Sequence, residues 1–208
     1  MDGYEIAYNV IMSDQFIMGG QLHPQQTSKA IRLCCVRSYV VTENKGKKLI
    51  RSQECIFHDQ EGLFIHVHIP KDVVAKYKNI FKEGKVYGIR NFLCITNFFK
   101  YKTSPHRYMM KFKHDTLVKE YKRVNFPKTM FCFKSFEDIL SKQGIDEKVL
   151  IDVLGRIVEI YSPLEKLIAG KKARLIDFVL EDSSQRQIKC TLWDEHVDQL
   201  MNKETDNH

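Results

Sequence analysis

The chain has a single tryptophan, no CxxC pair among its six cysteines, and no apolar run approaching the length of a membrane span. Each absence removes a class of protein. Without CxxC spacing, zinc ribbons and fingers drop out, and Cys34, Cys35, Cys55, Cys94, Cys132 and Cys190 read as thiols of a reduced, intracellular protein. Without a long apolar run, no membrane partner is expected. Residues 1–27 contain no Lys or Arg, so they lack the basic leader of a signal or transit peptide. No Gly-rich phosphate loop, nucleophile elbow or paired-carboxylate motif occurs. Nothing therefore marks an enzyme, and no cofactor is expected.

What is present is positive charge, unevenly placed. Residues 28–125 carry 21 Lys/Arg against 8 Asp/Glu, whereas residues 126–208 carry 12 against 15. The overall +7 thus hides a strongly basic first part and a mildly acidic second. A field of that sign and size attracts polyanions, nucleic acid foremost.

The most informative stretch is Asp59 to Tyr77. Asp59-Gln60-Glu61-Gly62 is a turn signal. Ile65, Val67 and Ile69 then alternate with Phe64, His66 and His68, the period of a strand with two different faces, the isoleucines and valine inside. Pro70 opens a helical pattern (Val73, Val74, Tyr77, Ile80, Phe81) that Gly84 closes. The same unit returns near the C-terminus, where Ile188, Cys190, Leu192, Val197 and Leu200 align without gaps on Ile65, Val67, Ile69, Val74 and Tyr77. Two copies imply two related domains.

Taken in order, residues 1–27 are an arm with no assigned chemistry. Strands are expected over 31–41 and 49–58, followed by the strand and helix above. Further strands fall over 85–95 and 107–114, joined by a loop bearing Phe98, Phe99, Lys100, Tyr101 and Lys102. Three strands, a helix and two strands describe a five-stranded OB barrel over 28–118. Residues 119–150 form a connector, with Ser135 and Asp138 framing a short helix. The second domain, 151–208, offers strands at 151–161, 172–180 and 187–193 and a helix after Asp194. It stops there, short of the last two strands of a barrel. The fold class is all-β, tandem OB.

Several stretches also resemble a known family: VRSY (36–39), the DQEG turn with IHVHIPK, KEGKVYGIRNF (82–92), YMMKF (108–112), DVLGRIVEI (152–160) and DFVLEDSSQRQIKCTLW (177–193). Together they are similar to the tandem OB-folds of the replication protein A large subunit, particularly its plant-type relatives. The resemblance implies non-catalytic binding of single-stranded DNA in a basic groove, with bases stacked on aromatic rings, partner subunits and a nuclear location. Stacking is worth roughly 1–3 kcal/mol per base. Trp193 stands at the family's stacking position after the third strand, Tyr101 at the loop position, and Arg37 and Tyr39 at a basic–aromatic pair. In the first domain Pro70 falls where Trp193 stands in the second, so His66 and His68 are the expected substitutes. Lys45, Lys47, Arg90, Lys100, Lys102, Arg107, Lys111 and Lys189 are expected to track phosphates.

Other readings stand beside these. His66 and His68 are spaced to share a metal, but no third ligand is evident; Cys55 faces them in only one of two hairpin registers. Phe98 and Phe99 could plug the barrel mouth or touch ligand. Two rival functions remain open: an OB-fold protein-interaction module and single-stranded RNA binding, since no feature reports on the 2′-hydroxyl.

Overall fold

The two faces read between Phe64 and Pro70 are present in the structure, a computed structural model that describes residues 16–26, 29–44, 47–122, 125–127 and 130–205. Ile65, Val67 and Ile69 are completely buried, each such side chain contributing roughly 1.5–3 kcal/mol. The chain forms two units: residues up to Phe131 with Glu147–Leu150, and Cys132–Asp146 with Ile151 onward. No described helix is long and apolar enough to cross a membrane.

In the first unit the strands are β1 (Phe16–Ile17), β2 (Ala30–Asn44), β3 (Lys47–His58), β4 (Phe64–Pro70), β5 (Val86–Arg90), β6 (Leu93–Thr96), β7 (Tyr108–Lys111) and β8 (Leu117–Tyr121), with helix α1 (Lys71–Tyr77) after β4. Their order is β6-β7-β4-β3-β2-β5-β8, with β1 parallel to β2. β5 and β6 are halves of one strand, interrupted at Asn91, whose φ is 58°. β7 and β8 are likewise halves of another. The Thr116 hydroxyl donates to the Asn91 carbonyl at 2.7 Å, so the two strands break together. The row begins and ends on the same broken pair, and β4 meets β7 in parallel. The sheet therefore curls on itself as an OB barrel does.

Helix α1 closes the barrel through Val73, Val74 and Tyr77, all within the core. Pro70 is its N-cap, as its fixed φ and missing N–H allow. Gly84 takes a φ of +75° in the turn beyond, open to glycine without strain.

Two boundaries differ from the sequence reading. The first barrel does not stop at 118, because Leu117–Tyr121 pairs with β5 along its whole length. Nor is the arm separate. Phe16–Ile17 pairs with Ala30–Ile31, Ile17 and Leu22 enter the core, and the Gly19 N–H donates to Asp59 Oδ2 at 2.7 Å. Residues 1–15 lie outside the described residues.

The second unit contains helix α2 (Phe136–Ser141), strands β9 (Arg156–Ile160), β10 (Leu164–Ile168), β11 (Lys171–Glu181) and β12 (Gln187–Trp193), and helix α3 (Glu195–Thr205). Ser135 caps α2, its Oγ accepting from the Asp138 N–H at 3.1 Å, and Lys142 ends it with a φ of 57°. β9 and β10 follow one another along the same side of β11, so they are one OB strand broken around Pro163. The sequence reading found only its first half. The tight turn into β11 uses Ala169 and Gly170, with φ of 48° and 76°. β12 completes the half-barrel. Phe136, Phe178, Leu180 and Ile188 form its core, joined by Ile139, Ile160, Cys190, Leu192 and Leu200. On β11 the buried Ile176 and Phe178 share a face and pair with Leu192 and Cys190. Both units are of the OB type, and α2, read as connector, packs into the second.

Candidate nucleic-acid interface

Strand register alone assembles the first unit's outer face. Tyr39 pairs with Glu54, Glu54 with His68, and His68 with Lys111. In the neighbouring row, Arg37 pairs with Ile56, and Ile56 with His66. Arg37 and Tyr39 are exposed. Burial, reinforced by the nearby Glu54 charge, pushes the Tyr39 phenol up.

At the centre lies Glu54, which the sequence reading did not single out. Its carboxylate is buried, with Oε2 2.8 Å from His66 Nε2 and Oε1 2.9 Å from His68 Nδ1. Burial alone would push the carboxyl up. Hydrogen bonds from both imidazoles and from Ser52 outweigh it and hold the group at about 2. A charged residue beside the otherwise apolar run Cys55-Ile56-Phe57 was the available signal. It becomes meaningful only once register sets Glu54 opposite His68.

Residues 97–107 fold over this floor. The Phe99 ring lies 4.6 Å from His66, and Phe98 stacks on Phe99 at 4.9 Å with 25° between planes. Phe98 also meets His68 edge-on at 5.8 Å. Thr103 Oγ1 is 2.7 Å from His66 Nδ1. Phe99 therefore helps cover the floor, while Phe98 leaves 61% of its surface in solvent. Tyr101 is 59% exposed, with Lys100 Nζ 5.2 Å from its ring centroid. Arg107 is exposed and lies against Tyr108.

Not every expected residue belongs to this face. His66 is corrected: it is 2% exposed and both its nitrogens are engaged, so it supports the floor and offers no ring to a base. Arg90 ends β5 opposite Leu117, beside the early part of β2 and away from the Tyr39 row. Lys47 opens β3 opposite Asn44; Lys45 lies outside the described residues. Cys55 pairs with Val67 and is buried inside the barrel, its thiol pushed up to about 12 by burial. That register turns it away from the histidines. Among the described residues no three His, Cys, Asp or Glu side chains are arranged to hold a metal ion.

In the second unit Trp193 ends β12 opposite Leu175 and is 39% exposed. It shares the outer face with Asp177, which bonds Thr191 Oγ1 and pairs with Lys189 Nζ at 2.8 Å. Lys189 also lies 5.5 Å from the Tyr161 ring centroid. Its hydrogen bond to Asp177 holds the ammonium above its ordinary value. That charge is shared with a carboxylate.

Two OB units, the first carrying a basic, partly aromatic outer face, define the class, and comparison with known proteins gives the family. Residues 20–142 match the family described as "Domain of unknown function DUF223", and the chain belongs to it. It is also a replication protein A large-subunit-like chain. It is 27% identical over 184 residues to a replication protein A 70 kDa DNA-binding subunit of Arabidopsis thaliana, covering 84% of this chain and 28% of that one. It is 31% identical over 129 residues to replication factor A protein 1 of Saccharomyces cerevisiae, covering 61% and 20% respectively. The chain thus spans under a third of these relatives. A solved replication protein A heterotrimer bound to ssDNA superposes with a TM-score of 0.59 at 17% identity, over 90% of this chain and 43% of that one, a likeness of fold.

Proposed function

We propose that the chain binds single-stranded DNA without catalysing a reaction, in keeping with relatives that are named as DNA-binding subunits. Phosphates run past Arg37, Lys100, Lys102, Arg107 and Lys111, while bases stack on Tyr101 in the first unit and on Trp193 in the second. Phe98 joins the first set; His68 contributes from the floor. The observation that carries the reading is the pair of solvent-facing rings, Tyr101 and Trp193, each on an OB unit's outer side. Such rings accept any base, because every base has a π-face. A nuclear location and partner subunits of the replication protein A kind belong to the same proposal.

Competition of poly-dT against poly-U for the protein at fixed salt tests it. Preferential displacement by poly-dT, with affinity falling steeply as salt rises, is expected. Equal or stronger displacement by poly-U would move the assignment to RNA. A second reading, a protein partner for the second unit, draws on the exposed apolar side chains of β10: Leu164 (52%), Leu167 (72%) and Ile168 (47%). Stable capture of a partner subunit with no retention on single strands would decide for it.

A further inference from the structure

The loop over the groove floor is tied on both sides. On its inner side Thr103 meets His66, which Glu54 fixes in turn. On its outer side the backbone of Lys102 is fully used. Its N–H donates to the Lys148 carbonyl at 2.6 Å, and its carbonyl accepts from the Leu150 N–H at 2.8 Å. Lys102 and Val149 thereby form a parallel β-bridge outside any named strand. The chain leaves the first unit after Phe131 and returns to it only for Glu147–Leu150. This returning segment makes the bridge.

With the loop so held, Phe98 and Phe99 lie on the histidines, and the His68 side chain keeps 16% of its exposure. A base cannot reach these histidines until the loop lifts, whereas Tyr101 and Phe98 on its outward side are already open to one. We propose that residues 147–150 are a latch that holds loop 97–107 closed, and that its release limits the seating of a nucleic-acid strand on the floor. The proposal rests on the single-strand reading above. It is physically modest: two backbone hydrogen bonds at an exposed site make a closure that ligand binding can open.

The test compares wild type, Leu150→Pro, and Lys102→Cys/Val149→Cys in a Cys132→Ser background. Leu150→Pro deletes one latch donor at a residue 61% exposed, following a residue whose extended bridge geometry suits a pre-proline position. Without ligand, it should speed amide hydrogen exchange across 97–107 at least threefold while β2, β3 and β4 stay protected. With a labelled dT oligonucleotide, its association rate should rise roughly three- to tenfold, the worth of one such bond. The double-cysteine chain, oxidised, should bind at least tenfold more weakly than the same chain reduced. Unchanged exchange in Leu150→Pro, or an oxidised chain that binds as well as its reduced form, overturns the latch. Faster exchange in a protein whose wild type binds no oligonucleotide supports the contact and overturns the nucleic-acid reading, so the two failures are distinct.

Discussion

Replacing Glu54 by glutamine isolates the polar floor of the first barrel. The wild-type carboxylate is 2% exposed and accepts from two imidazoles. Its pKa is lowered from 4.5 to about 2. A depressed acid contributes stability above its unfolded-state pKa and loses it as pH falls through the folded value. At neutral pH the shift corresponds to about 3 kcal/mol, of which about 2 should be gone by pH 3. A glutamine side chain here can accept from one histidine, but its amide must then face the other, so a loss of about 2 kcal/mol at pH 7 is expected. Urea unfolding followed by far-UV circular dichroism at pH 7, 5 and 3 measures this. Trp193 fluorescence reports the second unit separately and should not change its midpoint. The wild-type and variant curves should converge toward pH 3. A Glu54→Gln chain as stable as wild type at pH 7, or with an equal loss between pH 5 and 3, would refute the claim that the imidazoles hold Glu54 ionised.

Other expectations follow from the same geometry. Tyr101→Ala should weaken dT binding roughly 5- to 150-fold, the equivalent of 1–3 kcal/mol, with little change in salt slope by anisotropy titration. Lys111→Ala should instead reduce the slope of log K against log salt by about 1. Gly155→Ala places a Cβ 2.9 Å from the Glu181 carbonyl oxygen and the Phe136 ring, and should lower the second unit's stability by about 1–3 kcal/mol in urea melts read through Trp193.

Periodicity made the centre of each unit legible. The Ile65/Val67/Ile69 face, the Pro70 helix start and the gapless match to Ile188–Leu200 needed only patterns of two and of 3.6. Short or interrupted elements were harder. Strand β8 straddles the boundary expected at 118, because Leu117–Tyr121 follows a break at 112–116, and the matching break at Asn91 is hidden inside one expected strand, 85–95. β10 is exposed along its length, so no alternation announces it. Ile17 and Leu22 enter the core singly, without a period. At the site, exposure of Tyr101 and Trp193 followed from loop context and strand parity. The burial of His66 did not, because it depends on a partner, Glu54, that only register brings opposite. Lys189 shows the same limit: a lone lysine in a strand carries no sign of the Asp177 carboxylate beside it.

The most direct measurement is the emission of the single tryptophan during titration with an unlabelled dT oligonucleotide at low salt. Stacking on Trp193 should give saturable quenching whose midpoint moves to higher oligonucleotide concentration as salt is raised. Emission that stays constant while a parallel anisotropy titration with labelled oligonucleotide shows binding would contradict the stacking role of Trp193. No binding at any salt would contradict the single-strand function itself.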